Sequence, residues 1–313
     1  MKQPVIDDPV QPVALPPDSS SRTRLLLFGG FMALLALGFS STLVHLWRLA
    51  LNFQEELYSY ILLVPCISAY FIWQEYGESV RSGRSFRPFG TSLGPAIFAS
   101  ACAILSLFLA RQFGGGLSLI DRTAAQMFVF FFAAAAGLFF FLGSSVARRL
   151  FFPLAFLLFA IPLPTILLNA IEVGLQYASA EAAYWMLSAA QVPLFRDGLI
   201  FRLPGIVIRV AQECSGFRST WVLFMVSLIA SHLFLKTRWK KALFTLLIIP
   251  LAILRNGFRI TTISLLCVHL DPKWIDSPLH HRGGPLFFAL SLIPFTLVLL
   301  FLWRTDQKSQ KKA

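Results

Sequence analysis

Cys214 stands in the string Gln212-Glu213-Cys214-Ser215-Gly216, where a short polar stretch gives way to a long apolar one. A thiol at a helix N-terminus faces unpaired N–H groups and the positive end of the macrodipole, which favour the thiolate and make it a candidate nucleophile. Two other clusters carry groups that could work with it. Leu254-Arg255-Asn256-Gly257-Phe258-Arg259 sets two guanidiniums one helical turn apart inside an apolar run, a placement costly enough to be read as functional. His280 and His281 lie in a polar segment just ahead of the last apolar run. Thiol, imidazole and guanidinium together are the parts of acyl transfer. The imidazole takes the thiol proton, sulfur attacks a carbonyl, and the cation meets the oxyanion. That chemistry calls for no metal or cofactor. Each group also has a structural reading: Cys214 as a disulfide partner of Cys267, Arg259 as a snorkelling interface residue, the histidines as solvated loop residues.

The elements that must position these groups are set by lipid. Hydrophobic residues make up 57% of the chain and charged residues only 13%, a balance that no single soluble core can hide. Apolar runs near the roughly 20 residues that a bilayer helix needs occur at 25–47, 57–73, 93–110, 124–142, 150–168, 217–235, 242–266 and 285–303. The expected fold is therefore an all-α polytopic membrane protein of about eight spans. With the N-terminus inside, the inner segments hold Arg81, Arg84 and Arg87, then Arg148 and Arg149, then Lys236, Arg238, Lys240 and Lys241, and finally Arg304, Lys308, Lys311 and Lys312. Cations in short loops stay cytoplasmic, so both termini are expected inside. The net charge of +12 then reads as topology and attraction to membrane lipids, and nucleic acid is not an expected partner. Residues 1–21 are expected to form a disordered cytoplasmic tail, 22–304 the transmembrane domain, and 305–313 a basic cytoplasmic tail.

One outer segment is long. It begins at Ile161-Pro162-Leu163-Pro164, where two prolines should end or bend the fifth span, and runs through 165–213. Residues 166–190 carry apolar groups at helical spacing with Glu172, Gln176 and Glu181 on a polar side, which predicts an external amphipathic helix on the bilayer surface. Asp197-Gly198, flanked by alternating and β-branched residues, predicts a short β-hairpin delivering the chain to Cys214.

Cys214-Ser215-Gly216, Asn256-Gly257-Phe258-Arg259-Ile260 and His280-x-x-x-Gly284-x-x-Phe287-Phe288 resemble, in order and spacing, the three motifs of the exosortase and archaeosortase family. Tyr58-Ser59, Ile161-Pro162-Leu163-Pro164 and the Gln176 helix add to the likeness, which covers 25–303. Glu213, and Tyr60 and Ile61 after Tyr58-Ser59, depart from it, and a carboxylate beside the thiol opposes its ionisation. The resemblance implies a bacterial inner-membrane cysteine transpeptidase with its site on the periplasmic face. Its expected partners are the C-terminal tails of exported proteins, bearing a Pro-Glu-Pro signal, an apolar helix and a basic end, and a cell-surface acceptor nucleophile. It selects Cys214 as nucleophile, His280 as base and Arg259 as oxyanion partner. His281 is the alternative base, and Arg255, Asn256, Ser215 and Gly216 are supporting residues. A glycan polymerase or ligase acting on lipid-linked sugars, with Cys214 incidental, is the alternative reading.

Overall fold

The computed structural model describes residues 19–52, 56–81, 91–112, 114–212 and 215–310. Glu213, Cys214, most of the expected N-terminal tail, Arg84 and Arg87 lie outside the described residues. The chain divides into two compact units, Met1–Thr165 and Ile166–Ala313.

Among the described residues of the first unit the regular elements are all helical, chiefly α1 (Ser19–Gly38), α2 (Ser40–Leu51), α3 (Leu63–Arg81), α4 (Leu93–Gln112), α5 (Leu119–Phe141), α6 (Gly143–Arg149) and α7 (Phe151–Phe156). In hydrocarbon every backbone N–H and C=O must be satisfied within its own segment, which is why runs of this composition become helices. α5 packs against α1 and α4. Asp121 in its first turn accepts hydrogen bonds from the N–H and the hydroxyl of Thr165, both at 2.6 Å, which ties down the residue where the next helix starts.

In the second unit, α8 (Thr165–Ala189, its first residue closing the first unit) leads into three antiparallel strands, β1 (Phe195–Asp197), β2 (Ile200–Leu203) and β3 (Ile206–Arg209). Then come α9 (Phe217–Phe234), α10 (Arg238–Leu246), α11 (Ile248–His269), α12 (Pro278–Arg282) and α13 (Gly284–Gln310). The strands alternate: Phe201, Leu203 and Ile208 are buried while Arg202, Val207 and Arg209 are exposed. The buried face packs on Ala180, Ala183 and Leu187 of α8 and on Ile260, Leu265 and Val268 of α11. A second core joins α9, α10, α11 and α13 through Leu223, Phe244, Ile248 and Phe295. Beside it Asp306, 2% exposed, accepts from the N–H groups of Lys236 and Thr237 and pairs with Lys240 at 3.3 Å, closing the turn between α9 and α10.

Among the described residues six helices are long and apolar enough to cross a membrane, against the eight expected, and a seventh span results if the bent pair α6 and α7 counts as one. The expected span at 150–168 fails as a straight helix. It is bent by 73° from α6 and ends in a 3-10 turn at Ala160, ahead of Pro162 and Pro164, which carry no N–H to continue it. The expected span at 57–73 is split between a 3-10 turn, Glu56–Leu62, and α3, whose second half carries Gln74, Glu75 and Glu78. At the ends, α1 begins at Ser19 within the expected tail, and α13 continues to Gln310, so the segment expected as a basic tail is helical for most of its length.

Candidate active site

The turn into α9 is the local structure nearest the expected nucleophile. Gln212 accepts a hydrogen bond from the Ser215 N–H at 2.9 Å, so the described residues on either side of Cys214 are tied to each other. Ser215 is buried. Gly216 caps α9 with φ +74°, a left-handed conformation that a side chain would strain. Its carbonyl accepts from the Thr220 N–H and hydroxyl and from Nη2 of Arg255, the last at 3.2 Å. A Cβ at 216 would lie 3.2 Å from the Asn256 amide and 3.3 Å from Arg255 Nη2. Arg255 and Asn256 thus reach the backbone two residues beyond Cys214 because residue 216 has no side chain.

α8 holds the approach to that turn. Gln176 Nε2 donates to the Val210 carbonyl at 2.7 Å, and Gln212 Nε2 donates to Glu172 at 2.8 Å and to Asn169 at 3.3 Å. Glu181 pairs with Arg196 in β1, and the Arg196 hydrogen bond holds its carboxyl below the usual range. Asn169, Glu172 and Gln176, three and four residues apart, share one side of the helix, and Glu181 lies around the axis from them. These polar groups of α8 bind the strand-bearing segment, and Leu167, Val173, Tyr177 and Trp185 are among the residues it leaves exposed.

α11 supplies the cation. Asn256, Arg259 and Ile263 line a cavity of about 30 Å³, the share of one water molecule, together with Arg209 and Val210 at the end of β3 and with His280. Arg259 Nη2 donates to the His280 backbone carbonyl at 2.7 Å. His280 Nδ1 lies 2.6 Å from the Ile275 carbonyl. A carbonyl only accepts, so Nδ1 carries the proton and the lone pair of the neutral ring is at Nε2. Ser277 caps the short α12 through the His280 N–H. His281 follows on the same helix, and its side chain lies outside the described residues.

Gly257 lies between the two motif residues of α11. A Cβ there would stand 2.7 Å from the Ala182 Cβ and 3.2 Å from the Ala183 nitrogen. α11 is helical from Ile248 to His269, and the missing side chain at 257 serves close packing against α8. Cys267 is a buried free thiol. The structure therefore brings Asn256, Arg259 and His280 to one cavity and puts Arg255 at the Gly216 turn. Sequence reasoning missed Arg209 and Thr220: the first becomes visible only with strand register, the second only once Arg255 is seen to donate to its hydroxyl at 3.2 Å.

The family model described as transmembrane exosortase matches residues 47–297. No curated protein and no solved structure matches the chain.

Proposed function

Since this chain belongs to the transmembrane exosortase family, we propose that it is a membrane-embedded cysteine transpeptidase that cleaves the C-terminal sorting signals of exported proteins. Cys214 attacks the scissile carbonyl, His280 Nε2 takes the thiol proton, and Arg259 stabilises the oxyanion. The tetrahedral intermediate collapses to a thioester as the C–N bond breaks, and the leaving amine takes the proton from His280. An acceptor nucleophile at the cell surface, deprotonated by the same ring, then displaces the sulfur. One fixed donor at such an oxygen contributes about 3 to 4 kcal/mol of transition-state stabilisation. The observation that carries this reading is the Arg259–His280 pair at one cavity, with the Nδ1 proton held by Ile275 so that Nε2 is the basic nitrogen. Two peptide units link Gly216 to Cys214, a reach of about 7 Å at full extension.

The substrate class follows the resemblance: a tail with a Pro-Glu-Pro signal, an apolar helix and a basic end. The topology we propose has both termini in the cytoplasm of a bacterial inner membrane and the site on the periplasmic face. The family match favours this chemistry over a polymerase or ligase of lipid-linked glycans. Replacing Cys214 by Ala tests it directly, with processing of a co-expressed tail substrate followed by mass shift. Loss of processing with the protein still inserted supports the thiol mechanism, and processing at the wild-type rate refutes it.

A further inference from the structure

Arg255 is 9% exposed, lies within an apolar helix, and uses only part of its guanidinium. Nη2 donates to the Gly216 carbonyl and the Thr220 hydroxyl, both at 3.2 Å. Nη1 is buried and makes no hydrogen bond, and among the described residues no carboxylate pairs with this side chain. A chain that buries a cation and leaves one of its N–H groups unused forgoes both hydration and a counter-charge. That arrangement suits a partner whose charge exists only briefly. The guanidinium sits against the backbone two residues beyond Cys214, at the N-terminus of the 18-residue helix α9, whose dipole adds to its field.

Resting on the transpeptidase reading, we propose that Arg255 is a second oxyanion donor, acting through Nη1 beside Arg259. When the thiolate adds to the carbonyl carbon, the C=O π pair moves to oxygen, and the negative charge passes from sulfur to that oxygen. Nη1–H then hydrogen-bonds the new anion. When the C–N bond breaks, the pair returns to re-form the C=O of the thioester and the Nη1 contact is lost. Arg259 has a second duty, holding the His280 carbonyl, whereas Nη1 of Arg255 has none in the resting protein.

The test uses the full chain in membranes and reads two rates: processing of a co-expressed Pro-Glu-Pro tail substrate, and alkylation of Cys214 by iodoacetamide, followed on the Cys214 peptide by mass spectrometry. Alkylation needs the thiolate and the folded turn but forms no oxyanion. R255Q is expected to slow processing by about 10²- to 10³-fold and to slow alkylation far less, by no more than the thiolate loses when a nearby cation is removed. Processing within tenfold of wild type overturns the proposal. So does a fall in alkylation that matches the fall in processing, since Arg255 would then only hold the turn. If R255Q does not insert, R255K keeps the charge on a shorter arm; slowed processing with normal alkylation supports the role, and wild-type processing overturns it. A C214S protein that still processes would sink the transpeptidase reading itself, an outcome separate from any result at residue 255.

Discussion

A methyl group at residue 257 would meet Ala182 at 2.7 Å and the backbone of Ala183 at 3.2 Å, so the two helices could not keep their separation. G257A is expected to lower stability by about 1 to 3 kcal/mol and to slow processing as well, because Arg259 follows on the same helix. G174A in α8 has nothing within 4 Å and should leave both unchanged or slightly improved. Thermal unfolding in detergent compares the two, and equal midpoints would contradict the packing role. At His280 the two ring nitrogens can be separated. H280N keeps a donor near the Nδ1 position for the Ile275 carbonyl but has no group at Nε2. Processing should fall by about 10²- to 10⁴-fold with the protein still inserted, while H281N stays near wild type. The reverse ranking would move the base to His281. Residue type alone left Cys214, Arg259 and His280 open to structural readings, and it is the order and spacing of the three family-like strings that single them out in the sequence. The packing role of Gly257 is not legible in sequence, since a glycine in a helix looks the same whether it loosens the backbone or admits a neighbour.

Helix α8 shows what periodicity reveals and what it conceals. Its extent, expected as 166–190 and found as Thr165–Ala189, was legible from apolar spacing and the prolines before it. Its polar side was legible as well, but not the partner. Water and a β-segment ask the same of Glu172 and Gln176, and only the pairing of Gln176 with Val210 decides between them. Gln176→Met would leave the buried Val210 carbonyl without its donor, a loss of about 1 to 3 kcal/mol. The expected result is a site segment that opens more readily: slower processing, and faster proteolysis in limited digestion near residues 210–212. Unchanged proteolysis would mean that α8 does not hold this segment. Glu172→Gln retains an acceptor for Gln212 and should behave nearly as wild type.

Across the whole molecule, hydropathy sums apolar residues without seeing direction. Among the described residues six helices, or seven with the bent pair, are long and apolar enough to cross a membrane, beside the eight runs it marks. The run at 150–168 is apolar enough, yet it leaves α6 at 73° and its helical part stops at Ala160, ahead of the prolines. The three-stranded sheet escaped in part for the opposite reason: Pro204-Gly205 makes a second turn where one hairpin was the simplest expectation. The proposed topology puts Cys214 within reach of the periplasm. A maleimide that cannot cross the inner membrane should label wild-type protein in cells with a permeabilised outer layer. C214S should abolish that labelling and C267S leave it intact, since Cys267 is 1% exposed. Protection of Cys214 would invert or displace the topology. The Ile275 carbonyl that occupies one side of the His280 ring bears on the order of events. A single basic nitrogen can be handed to only one customer at a time, so the severed tail must depart before the incoming acceptor is activated. Kinetics that alternate between the two substrates, with parallel lines in a double-reciprocal plot, are the signature of such turn-taking.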